Sequence, residues 1–135
     1  MSKEFADFCT VMSEKIHESY DPGITLDQAE KLAGEFLTAQ LLTAHELHVV
    51  DLDARMRKTG LKAIKSAVRT NEVKKYDKKP TEGHLEDVVN LDEIVQGEQK
   101  SLDEAEAKRD RYQNFFNIFK DAHIFFRGVS KGRFE

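Results

Sequence analysis

No proline interrupts the chain between Pro22 and Pro80, and within that interval apolar residues recur at three- and four-residue spacing from Leu26 onward. The spacing predicts helix over residues 25–76, opened by a threonine N-cap at Thr25 with Gln28 reaching back as a capping box. At 1.5 Å per residue such a helix is roughly 75 Å long, about twice the ~37 Å diameter of a compact globule of 135 residues. Either it breaks, with Gly60 and the Val49-Val50 pair as the weakest points, or it stays long in a subunit that completes its core with other subunits. The second outcome is the expected one.

The rest of the chain reads the same way. Phe5, Phe8, Cys9, Met12 and Ile16 mark one face of an N-terminal helix over residues 1–20, stopped by Asp21-Pro22-Gly23. The core face of the long helix is expected at Leu26, Ala29, Ala33, Phe36, Leu37, Leu41, Ala44, Leu47 and Leu52. Residues 77–83, DKKPTEG, read as a loop. Thr81 caps a short helix, Asn90 with Glu93 offers a second N-cap signal, and a final helix brings residues 84–127 to an end. Leu91, Ile94, Val95, Leu102, Ala105, Tyr112, Phe116, Phe119, His123 and Phe126 stay near one face of that helix, with Glu98 and Arg109 intruding on the seam. Residues 128–135 read as a mobile glycine-containing tail. No segment alternates as a strand does. The expected fold is therefore all-α, one domain of long helices in an elongated hairpin or bundle, with coiled-coil character and no β-sheet.

Seven of the twelve aromatic residues lie between Tyr112 and Phe134. Tyr112, Phe115, Phe116, Phe119 and Phe126 form one broad stripe, and Ile118 with Phe125 form a second patch beside it. One helix cannot cover both, so Ile118, Phe119, Phe125 and Phe126 are the expected homo-oligomer interface.

The overall charge of −4 conceals four blocks: −8 over residues 1–53, +8 over 54–79, −7 over 80–110 and +3 over 111–135. Ten of the twenty-one Lys and Arg lie between Arg55 and Lys79, against only Glu72 and Asp77. On a helical wheel Arg55, Lys58, Lys62, Lys65 and Arg69 share an arc of about 80°, with Met56, Ile64, Ala67 and Val68 on the other side. Lys74 and Lys75 continue the run. Such a ridge tracks phosphates without reading base edges, since it presents mostly Lys rather than Asn, Gln or Arg, and these seven cations are the candidate nucleic-acid site. The alternative use of the block is docking onto the acidic segment 82–110 of the same or a neighbouring chain.

Other chemistry is poorly served. His45, His48 and Asp51 share a helix face, but HELH is not the HExxH zinc motif and no cysteine is near, so no metal is expected. His123 among phenylalanines reads as a core histidine with one hydrogen bond. No phosphate-binding glycine loop, dinucleotide motif or nucleophile elbow occurs, so neither an enzyme nor a cofactor is expected. The lone Cys9 sits on an apolar stripe as a buried free thiol, which fits a reducing compartment. No apolar run is long enough to span a membrane and no leader pattern opens the chain, so the expected place is the cytoplasm, that of the host cell if phage-encoded.

From Thr25 to the C-terminus the layout resembles the UvsY-type recombination mediators of T-even phages. The likeness rests on a capped long helix, the Leu61-Lys62-Ala63 step in a basic segment, a charged turn, an acidic helix start, and an aromatic last helix with a basic tail. It implies a non-enzymatic, ring-forming assembly factor that binds single-stranded DNA and helps a RecA-like recombinase displace a single-strand-binding protein. Lys62 matches the lysine of the family's LKAR step and inherits its DNA contact. The arginine of that step falls on Ile64, with Lys65 one position on. The C-terminal helix, by resemblance, builds the oligomer. The alternative function is a phage structural or adaptor protein assembled through helices and charge blocks.

Overall fold

The structure is a computed structural model that describes residues 2–19 and 23–132. It consists of four α-helices, α1 (Ser2–Ser19), α2 (Leu26–Val73), α3 (Glu82–Leu91) and α4 (Glu93–Ser130), and no strand occurs among the described residues. The long helix runs unbroken through Val49, Val50 and Gly60. The helices pack as a bundle in which α2 and α4 are the main partners. Two compact units share these two helices, one formed by Met1–His48 with Asp110–Glu135 and the other by Val49–Arg109.

The helix starts follow local chemistry. The Thr25 hydroxyl accepts from the Gln28 backbone N–H at 3.1 Å while the Gln28 amide oxygen accepts from the Thr25 N–H at 3.0 Å, which is the expected capping box. Thr81 caps α3 by accepting from the His84 N–H. The expected Asn90 cap is corrected. Asn90 lies inside α3, and Asp92 caps α4 by accepting from the Val95 N–H at 3.0 Å. Asp92 itself is extended, which is the backbone an N-cap requires. At the other end α4 continues to Ser130, three residues past Arg127, so the expected tail begins later than read. The expected stop at Asp21-Pro22 and the last tail residues, 133–135, lie outside the described residues.

In the first unit α1, the first half of α2 and the end of α4 enclose a core of Cys9, Met12, Ala33, Phe36, Ala39, Phe119, Ala122 and Phe126. Phe36 stacks on Phe126 at 5.7 Å and on Phe119 at 6.3 Å between ring centroids, and Phe5 meets Tyr112 edge-on at 4.9 Å. Each fully buried phenylalanine contributes roughly 2–3 kcal/mol by leaving water. Several polar groups here are matched, while the buried Ser13 hydroxyl has no hydrogen-bond partner among the described residues. The Thr43 hydroxyl donates to the Ala39 carbonyl at 2.6 Å, His123 Nδ1 donates to the Ala33 carbonyl at 2.8 Å, and Lys15 pairs with Glu35.

In the second unit Leu61 of α2 packs against Val95 and Leu102 of α4, with Ile64, Val68 and Val89 around them. Leu85 of α3 is fully buried. Glu98 and Arg109 are half-buried, and Arg109 pairs with Glu106 at 3.6 Å.

Two expectations about burial are corrected. Leu26, Leu37, Leu41 and Leu52 of α2 are exposed, and Ala44 and Leu47 are half-buried. The expected core positions Ala29, Ala33 and Phe36 are buried, and from them the α2 core face runs on through Ala39, Thr43, Val50, Ala54 and Leu61. Small residues dominate it because they let the facing helices approach closely, so its apolar signal is weaker than that of the leucines opposite. Met56 and Ala67 likewise face solvent. In the same way Phe119 and Phe126, expected at an oligomer interface, are buried in the chain's own core, and Phe125 packs against that core. Ile118 alone of the four is exposed. On α4, Leu91 and Ile94 also fall off the expected seam into solvent, Leu91 as the last residue of α3.

Candidate nucleic-acid interface

All seven candidate cations lie in the second unit, and their side chains divide by what already holds them. The arginines are engaged. Arg55 Nε donates to Asp51 Oδ2 at 2.9 Å one turn back, although its side chain stays 75% exposed. Arg57, which the ridge omitted, makes the same contact with Asp53 at 3.0 Å. Both are i, i+4 pairs on an exposed face, worth a few tenths of a kcal/mol each.

Arg69 is held across the turn that follows α2, donating to Glu82 Oε1 at 2.7 Å, with Lys79 at 3.5 Å from the same oxygen. Its hydrogen bond with Arg69 holds the Glu82 carboxyl below the usual range, and the reciprocal bond raises the guanidinium.

Lys75 belongs to a second cluster centred on Glu72, whose side chain is only 8% exposed. His84 Nε2 donates to Glu72 Oε1 at 3.1 Å and Lys75 Nζ lies 3.2 Å from Oε2. The Tyr76 ring meets the His84 ring edge-on at 5.7 Å. The bond from His84, followed by those from Lys75 and Tyr76, holds the Glu72 carboxyl below its ordinary value against the opposing effect of burial. Glu82 and Glu72 thus tie the loop between α2 and α3 to the end of α2.

The lysines differ. Among the described residues Lys58, Lys62, Lys65 and Lys74 make no ion pair. Lys58 and Lys62 are exposed, Lys65 is half-buried, and the three follow one another at four- and three-residue steps of α2. Lys65 lines a shallow groove of about 280 Å³ with Asn90, Val95, Gln96, Gln99, Lys100 and Asp103. The Gln99 amide in it donates to Asp103 at 3.0 Å. Thirteen Lys and Arg balance thirteen Asp and Glu over residues 49–109, so the lysine row is a local positive strip on a unit without net charge.

The missed groups were of two kinds. Asp51 and Asp53 stand four residues before Arg55 and Arg57, a readable spacing. Glu82 meets Arg69 across thirteen residues and a turn, and His84 meets Glu72 across twelve, which no local pattern signals. His45 and His48 are exposed, the Asp51 carboxylate is taken by Arg55, and no group of three or more metal-capable side chains occurs among the described residues. No helix among the described residues is long and apolar enough to cross a membrane. Comparison with protein-family models, with curated proteins and with solved structures finds no match to this chain.

Proposed function

We propose that the protein is a non-enzymatic binder of single-stranded DNA, and that Lys58, Lys62 and Lys65 of α2, with Lys74 beside them, are its contact with phosphate. The observation that carries this reading is the division just described: Lys58, Lys62, Lys65 and Lys74 have no carboxylate partner among the described residues, whereas Arg55, Arg69 and Lys75 do. An unpaired ammonium gains more from a phosphate than one that must first leave a carboxylate. Arg69 and Lys75 are accordingly anchors of the loop. At 1.5 Å per residue the row spaces its ammonium groups by about 6 and 4.5 Å along the helix, and a rigid helix keeps them in line. The UvsY-type resemblance supplies the setting: an assembly factor, phage-encoded and cytoplasmic, that helps a RecA-like recombinase replace a single-strand-binding protein.

The test is Lys62→Ala with Lys65→Ala, measured by anisotropy with a labelled oligo-dT. Two lost phosphate contacts reduce the slope of log K against log salt by about 1.4 and weaken binding about tenfold or more near 100 mM salt, equally for all sequences. Unchanged affinity and slope would remove the row from the function. A second reading, a phage structural or adaptor protein, draws on the pairing of Arg69 and Lys79 with Glu82, which uses the basic block to hold the chain to its own acidic segment.

A further inference from the structure

The row of Lys58, Lys62 and Lys65 ends at the groove that α4 completes. Lys65 lines it from α2, Val95, Gln99, Lys100 and Asp103 line it from α4, and Asn90 closes it near the end of α3. All of these residues belong to the second unit. At about 280 Å³ the groove lies near the lower end of the roughly 300–1,000 Å³ of ligand sites. Val95, 3% exposed, is its apolar floor. Lys65 is half-buried and Lys100 is exposed, and neither makes an ion pair among the described residues. The Asn90 side-chain amide has no hydrogen bond there either, its backbone carbonyl alone being used.

The charges in the groove decide what enters it. Of its lining residues only Lys65, Lys100 and Asp103 are charged, so two ammonium groups outweigh one carboxylate and the groove is singly positive. The half-buried Lys65 ammonium has given up part of its hydration without gaining a carboxylate, and an anion in the groove restores what it lost. We infer that the groove is a phosphate clamp: Lys65 of α2 and Lys100 of α4 hold one phosphate of the bound strand between two helices, with the Asn90 amide donating to it. The occupant is a phosphodiester of a chain, because Lys65 is also the last member of the lysine row and the groove takes the phosphate that follows those on Lys58 and Lys62. The clamp rests on the single-stranded DNA reading and adds to it Lys100, which lies on another helix from the row. Asp103, hydrogen-bonded by the Gln99 amide at 3.0 Å, makes the two lysines act as a unit. With either lysine removed the groove is neutral and no longer draws a phosphate in.

The experiment is anisotropy of a labelled oligo-dT with the full chain across 50–300 mM salt, for the wild type, Lys65→Ala, Lys100→Ala and the double variant. Lys108→Ala is the control, since it removes the same charge from the separate groove lined by Asp53, Arg57 and Lys108. All are expected to keep the far-ultraviolet spectrum of the wild type. Each single variant in the clamp lowers the slope of log K against log salt by about 0.7 and weakens binding about fivefold near 100 mM salt. The double variant lowers the slope by no more than either single one, because the two lysines share one phosphate, and Lys108→Ala leaves the slope unchanged. Wild-type affinity and slope in Lys100→Ala would overturn the clamp and leave the lysine row standing. A slope loss near 1.4 in the double variant, the value for two separate phosphates, or a loss in Lys108→Ala equal to that in Lys100→Ala would also overturn it. A wild type that does not bind at 50 mM salt would overturn the clamp together with the reading on which it rests.

Discussion

Replacing Phe36 by alanine removes the ring on which the first unit is centred. Phe36 is fully buried and stacks on both Phe119 and Phe126, so it joins α2 to α4 at two points about two helical turns apart. The transfer of its side chain from the core costs about 2–3 kcal/mol, and the cavity left beside two rigid rings adds about 1–2 kcal/mol. A total near 4 kcal/mol, with a urea m-value of roughly 2 kcal/mol/M for a chain of this size, lowers the unfolding midpoint by about 2 M. The melting temperature falls by about 12–16 °C. Urea unfolding followed by circular dichroism at 222 nm measures it. Phe36→Leu recovers part of the loss. Leu26→Ala, at a position whose spacing suggests core but which is half-exposed, costs less than about 1 kcal/mol. A midpoint shift below about 0.5 M for Phe36→Ala, or equal losses at Phe36 and Leu26, would refute the described packing.

Three further outcomes follow from the same contacts. Glu72 is held below its ordinary value of 4.5, so it stabilises the folded chain above that pH, and the contribution disappears as pH falls through its lowered folded value. Glu72→Gln therefore lowers stability at pH 7 and flattens its decline below about pH 4.5, as read by urea midpoints across pH 3–7. Burial pushes the Cys9 thiol up to about 11, so at pH 8 it is unreactive toward a disulfide reagent in the folded protein and fully reactive in urea. Thr25→Ala breaks the capping box and costs about 1 kcal/mol, measured by thermal unfolding.

Helix identity was legible because proline position, capping residues and three-four spacing all act within one or two turns. Thr25 with Gln28, the face of α1 and the continuity of α2 all follow from such signals. Which face of α2 turns inward was legible only in part. Ala29, Ala33 and Phe36 are buried as their spacing suggests, but the face continues through Ala39, Thr43, Val50, Ala54 and Leu61 while Leu26, Leu37, Leu41 and Leu52 are exposed, because small residues give a weaker apolar signal than leucines. Phe119 and Phe126 were displaced for the related reason that the number of partners a stripe meets is a tertiary fact. At the candidate interface the row of cations could be read from spacing. The selective loss of Arg69 and Lys75 to Glu82 and Glu72 depends on the turn that brings α3 back to the end of α2.

The most direct measurement is the anisotropy of a labelled oligo-dT with the wild-type full chain from 50 to 300 mM salt, competed with unlabelled duplex of equal length. The account predicts binding at 50 mM salt that weakens with a log–log slope near −2 to −3, as three or four lysine–phosphate contacts at about 0.7 each require, and poorer competition by the duplex. Absence of binding at 50 mM salt, where phosphate contacts are strongest, would contradict it and assign the lysine row to protein docking.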